Sequence, residues 1–131
     1  MKAIYKTFLV LITSVILSSS VFASEPVSTK SILSVATIEN NLMNGLSSDN
    51  LGLRLSSAYY LGEYKSEKAV LPLIKMLHSE KEESARIQAA LSLVKIGNAK
   101  GIFMVKQAAK FDDSQRVRNL CNKFYRASQK I

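Results

Sequence analysis

Apolar positions along the chain recur at helical spacing, and from about residue 50 onward the whole pattern returns every 32 residues. Arg54, Arg86 and Arg118 mark the step. In that register Leu55 meets Ile87, Ala58 meets Ala90, and Leu61 meets Leu93 and then Tyr125, while Ser57, Ala89 and Cys121 share one slot for a small residue. No insertion or deletion is needed to keep the copies aligned. A fixed period near thirty residues is the signature of stacked supersecondary units, none of which can bury its apolar face without a neighbour.

Within that register the elements are helices. Residues 31–46 carry Val35, Ile38, Leu42 and Leu46 on one side and Asn40, Asn41 and Asn44 on the other, which reads as the second half of a degenerate first repeat with a polar outer face. Residues 51–64 form the next helix, 65–67 a turn, and 69–78 a helix whose stripe is Val70, Leu73, Ile74 and Leu77. Pro72 is tolerated only in a first turn, so this helix is expected to start near Lys68 or Ala69. Ser79 and Glu82 match a capping box that would open the following helix, 82–96. That helix is apolar on two faces, Ile87, Ala90, Leu91 and Val94 on one and Ala89, Leu93 and Ile96 on the other, as a helix packed between neighbours must be. Gly97 and Asn98 supply a left-handed cap and a tight turn. Ile102, Phe103, Val105 and Ala109 mark the apolar side of its partner helix, and Asp112, Asp113 and Ser114 cap a last helix over 115–128. The expected fold is all-α, a short right-handed α-solenoid of about six antiparallel helices.

The first residues follow a different pattern. Lys2 and Lys6 precede the apolar run Phe8 to Leu17, a serine-rich stretch follows, and Val21-Phe22-Ala23 places small residues where a signal peptidase requires them. The run is interrupted at Ser18 to Ser20, well short of the roughly 20 apolar residues that cross a bilayer. Residues 1–23 therefore read as a secretory signal peptide cleaved after Ala23, 24–30 as a disordered lead-in, and 31–131 as the repeat domain of an exported protein, periplasmic or secreted.

The stretches 53–62 (LRLSSAYYLG) with 69–77 (AVLPLIKML), and their second copy from Ala85-Arg86 through Ala90 and Leu93 to Ile96-Gly97, resemble HEAT repeats, in particular the short bacterial HEAT-like repeats also found in phycobilisome lyases. A third copy begins at Val117-Arg118 and stops after its first helix. Lys65 stands where the second copy has Gly97, and Lys81 where the flanking copies have Asp49 and Asp113. The resemblance implies that Arg54, Arg86 and Arg118 stiffen the stack by bonding to the adjacent turn, with Asp49, Glu82 or Glu83, and Asp113 as the nearest acids. It also implies that partners dock on the concave face formed by the second helices. On those helices Lys68, Lys75, Met76, Lys100, Met104, Gln107 and Phe111 are the positions not required by the core, and lysines beside exposed apolar groups suit an acidic, extended segment of another protein.

Charge changes this picture in one respect. The chain holds 18 basic and 10 acidic residues, and from Lys95 to the end the balance is 9 basic to 2 acidic, so the C-terminal end is the positive end. That asymmetry raises peripheral contact with an anionic membrane or a polyanion as an alternative to protein binding. Nucleic acid is not expected, because Phe124 and Tyr125 of the interleaved stretch Lys123 to Arg126 fall at core positions. No catalytic set is visible: His78 is the only histidine, Cys121 the only cysteine, and the paired acids Glu82-Glu83 and Asp112-Asp113 open helices. One His and one Cys leave no basis for a metal or cofactor site. Cys121 sits in a small packing slot. An accessory role beside an enzyme, of the kind the lyase relatives suggest, is the remaining alternative to a non-catalytic binding module.

Overall fold

The computed structural model describes residues 27–130, with side chains from Val35 onward. The signal-peptide reading of residues 1–23 lies outside the described residues. The chain divides into units at Ser31/Ile32, and everything below concerns the second. Six α-helices follow in order: α1 Val27–Gly45, α2 Leu51–Glu63, α3 Val70–Ser79 preceded by a 3-10 turn Glu67–Ala69, α4 Glu83–Ile96, α5 Ala99–Phe111 and α6 Gln115–Ser128. No strand occurs among the described residues. The first helix begins four residues earlier than its apolar spacing predicts.

Helix α4 is the centre of the unit. It packs on α2 and on α6, so these first helices of successive repeats form one row; α3 and α5 touch each other and line the second row, and both lean on α4. Burial on two faces explains this: Ala85, Ala89, Ser92, Leu93 and Ile96 are all buried, and so is Ala90. Small residues let the helices of the first row approach. A Cβ on Gly62 would lie 2.8 Å from the Cβ of Ser92 and 2.9 Å from its Cα, and the Ser92 hydroxyl donates to the Ala58 carbonyl at 2.7 Å. The face of α2 that carries Ala58 and Gly62 is thus the face that receives α4.

The same face, followed through the register, shows where stacking stops. Leu55, Ala58 and Gly62 of α2 correspond to Ile87, Ala90 and Val94 of α4, and then to Asn119, Asn122 and Arg126 of α6. These last three are exposed. Helix α6 therefore turns its apolar side, Val117 and Cys121, inward and carries polar groups at these three outward positions, as a capping repeat does. Burial pushes the Cys121 thiol up to about 11, which leaves it protonated and inert at neutral pH.

Caps define the turns. Asn50 accepts from the Leu53 N–H, Asn98 from those of Lys100 and Gly101, and Ser114 from that of Val117. The capping box expected at Ser79 and Glu82 does not form. Ser79 is the last residue of α3 and its hydroxyl donates back to the Lys75 carbonyl, while Glu82 occupies the cap position of α4 without a side-chain bond. Pro72 lies in the first turn of α3, where no N–H is required.

Gly97 takes the left-handed conformation at φ 82°, and Lys65, its counterpart one repeat earlier, takes it too at φ 50°. A residue with a Cβ is strained there. Lys65→Gly is expected to raise stability by up to about 1 kcal/mol, the relief being partly offset by the greater freedom of glycine in the unfolded chain. Thermal unfolding followed by circular dichroism measures it, and a lower melting temperature would show that the Lys65 side chain contributes more than its strain costs.

Candidate partner-binding face

The repeat arginines set the geometry of one edge of the stack. Arg54 donates to the carbonyls of Ser48 and Asp49 at 2.8 and 3.0 Å and pairs with Glu80 at 2.9 Å. Arg86 repeats the arrangement 32 residues later: it donates to the carbonyls of Glu80 and Lys81 at 2.9 and 3.0 Å and grips Asp112 through two nitrogens at 2.9 and 3.0 Å. Each guanidinium ties the loop before its own helix to the loop after the next one. Arg118 donates through Nη1 to the carbonyls of Asp112 and Asp113, but its Nη2 donates to the Gln115 side-chain oxygen at 2.7 Å rather than to an acid. All three arginines bond carbonyls of the adjacent turn; Arg54 and Arg86 also take carboxylates, Glu80 and Asp112, other than those nearest in sequence, and Arg118 takes none. The hydrogen bonds to Asp112 raise the already high pKa of Arg86 against the opposing effect of burial.

Two cavities lie along this edge, in corresponding places. One, of about 330 Å³, has Arg54 and Glu80 at its wall and Lys75, Met76 and Ser79 around it. The other, of about 290 Å³, has Arg86 and Asp112 at its wall and Gln107, Ala108 and Phe111 in the corresponding places.

The residues proposed from sequence divide accordingly. Lys75 stands exposed at the first cavity and Phe111, 74% exposed, at the second, where Gln107 is half-buried. Met76 also touches the first cavity but is only 5% exposed, because its side chain fills the core between the rows; Met104 is half-buried against the same core. Neither methionine presents a free surface. Lys68 and Lys100 are exposed near the starts of the second helices and line neither cavity. Lys68 is held by Glu39 at 2.9 Å; the Ser66 hydroxyl donates to the same carboxylate, and both contacts hold Glu39 below the usual carboxylate range.

Two residues on this face escaped the sequence reading. Leu71 and Phe103 are equivalent in the register and are 61% and 54% exposed. The expectation that Phe103 belongs to the apolar side of its helix is corrected: Ile102 and Val105 turn inward and Phe103 outward. The spacing could have shown it. Lys68, Leu71 and Lys75 stand at i, i+3 and i+7, as do Lys100, Phe103 and Gln107, so each apolar residue shares a stripe with polar ones.

The other row has exposed rings of its own, Tyr59 and Tyr60 on α2. Tyr59 meets Tyr60 edge-on, Lys95 lies 4.8 Å over the Tyr59 ring, and Lys95 is paired with Glu63, which lowers the Glu63 pKa. Phe124 and Tyr125 pack against the core, with Lys106 above the Tyr125 ring. Among the described residues no group of His, Cys, Asp and Glu is arranged to hold a metal ion, and no helix is long and apolar enough to cross a membrane.

The HEAT-repeat profile matches residues 39–122, well over half of the chain. This chain belongs to the HEAT-repeat family. A search of curated proteins finds no significant match. The matched span runs from the C-terminal part of α1 into α6, so the HEAT-repeat segment includes both cavities, Leu71, Phe103 and all three arginines. Members of this family are generally protein-interaction scaffolds.

Proposed function

We propose that this HEAT-repeat protein is an exported, non-catalytic interaction module that docks an extended segment of another protein along its second-helix row. The observation that carries the reading is the repeated exposure of Leu71 and Phe103 on adjacent helices, in stripes with Lys68, Lys75 and Lys100. An apolar residue of this size, exposed twice at one register position, has no role in the core. It gives a bound chain a ridge to cover, while the lysines favour acidic groups on it. Rigid helices hold both ridges, so the surface is preorganised and little ordering cost falls on this partner. Export rests on Lys2, Lys6, the apolar run Phe8 to Leu17 and the small residues up to Ala23.

A photo-crosslinking amino acid placed at 71 or at 103 is expected to trap the same partner in cells, whereas one placed at Asn119 on the outer face of α6 traps none. Crosslinks confined to position 119, or strong salt-dependent capture on anionic vesicles by the unmodified protein, would instead assign binding to the basic end. The double variant Leu71→Ser, Phe103→Ser is expected to abolish the adduct reported from Lys75 while leaving the melting temperature within a few degrees, since surface changes are usually worth less than about 0.5 kcal/mol each. Amino-terminal sequencing of the protein from the cell envelope or medium should start at Ser24.

A further inference from the structure

The two cavities occupy equivalent places in successive repeats but have opposite charge. Around the first, Arg54 is matched by Glu80 and Lys75 remains, an excess of one positive charge; around the second, with Glu80 already paired to Arg54, Arg86 is matched by Asp112 and Asp113 remains, an excess of one negative charge. In each case the wall arginine is consumed by its carboxylate partner, Glu80 or Asp112, so the rims decide. Lys75 is the exposed ammonium at the first cavity, with Ser47 and Ser79 beside it. At the second, the register puts Gln107 in place of that lysine and Phe111 in place of Ser79, and adds the exposed carboxylate of Asp113. An aromatic ring next to a carboxylate is a receptor for a cation, just as an ammonium among hydroxyls is one for an anion.

We infer that the docked segment carries mixed charge, a carboxylate for the cavity at Lys75 and an ammonium or guanidinium for the cavity between Phe111 and Asp113. This deepens, and rests on, the docking reading above. Helices packed in a row stand roughly 8–10 Å apart, and an extended chain advances about 3.3 Å per residue, so the two charges are about three residues apart in the partner. The residues between them pass beside Leu71 and Phe103, which lie one turn before Lys75 and Gln107 on the same helices. A uniformly acidic segment would satisfy the first cavity and be repelled at the second.

The test uses the full chain and capped peptides of nine residues with central Glu-Leu-Val-Lys, Glu-Leu-Val-Glu or Lys-Leu-Val-Lys, with binding read by fluorescence anisotropy and by shifts of the Leu71 and Phe103 side-chain resonances. The mixed peptide is expected to bind about tenfold more tightly than either uniform one, the size expected for removing one rim contact and adding a like-charge approach. Lys75→Glu makes both rims acidic and should transfer preference to Lys-Leu-Val-Lys; Asp113→Lys makes both basic and should transfer it to Glu-Leu-Val-Glu. Melting curves confirm that both variants fold, and neither side chain is buried. If the peptides shift the Leu71 and Phe103 resonances with the same ranking in all three proteins, the charge assignment is overturned and the docking face stands. If no peptide shifts those resonances, the docking reading falls and this inference with it.

Discussion

Ala90→Asp is expected to unfold the domain at neutral pH or to lower its melting temperature by more than about 20 °C, since 1 kcal/mol moves a domain of this size by about 4–8 °C. Ala90 is wholly buried on the face of α4 in register with the part of α2 that receives its neighbour. A carboxylate there finds no cation, so it must either be buried charged or bind a proton. Holding an aspartate neutral at pH 7 against its ordinary value near 3.9 costs about 4 kcal/mol. The added volume costs about 1–3 kcal/mol more in a packed interior. Small domains have only about 5–15 kcal/mol to lose. The sign of the pH dependence follows: the folded-state pKa of the new carboxyl is raised, so the deficit is full above that value and shrinks as pH falls toward the unfolded value. The same substitution at the same register position one repeat later, Asn122→Asp, is expected to change the melting temperature by no more than a few degrees, because Asn122 lies on the exposed face of α6. Urea unfolding of the two variants side by side decides the matter. Equal effects would mean that the first-row helices do not stack through this face.

The contrast between Ala90 and Asn122 also shows what kind of information the sequence carries. Periodicity identified the helices, the 32-residue step and the left-handed turn at Gly97, because each of these leaves a local trace in residue type. The terminating face of α6 left one as well, in the replacement of Ile87, Ala90 and Val94 by Asn119, Asn122 and Arg126. The errors came where a local rule competes with a longer reach. Ser79 and Glu82 have the spacing of a capping box, yet α3 continues through Ser79 and its hydroxyl is taken by the preceding turn. Apolar character alone put Phe103 on the inner side, although its stripe contains Lys100 and Gln107. Methionine at 76 suited a groove, but a flexible thioether also fills a core, and the space between the two rows took it. The acids paired with the arginines were sought within a few residues, whereas both lie 26 residues further on. That link was readable too: Glu80 and Asp112 are themselves 32 apart, the only acids that keep step with Arg54 and Arg86 at that distance.

Removing the arginine from each of these links should give graded losses. Arg86→Gln is expected to cost about 3–5 kcal/mol, the usual consequence of deleting one member of a buried pair and leaving the other charged. Its partner Asp112 has a side chain only 8% exposed and receives two bonds from the guanidinium, and the carbonyls of Glu80 and Lys81 lose their donor at the same time. Arg54→Gln should cost less, because the Glu80 side chain is 19% exposed and water can reach it. Arg118→Gln should cost least, about 1–2 kcal/mol, since only neutral acceptors are given up. The order Arg86, Arg54, Arg118, measured by urea unfolding, is the content of the prediction. The double variant Arg86→Met, Asp112→Leu separates the two sources of the loss. If the uncompensated carboxylate dominates, the double variant recovers a large part of the stability that Arg86→Gln removes, as matched apolar replacements of buried pairs often do. If the freed loop carbonyls dominate, it recovers none, and the arginines serve chiefly to hold the turn before each first helix.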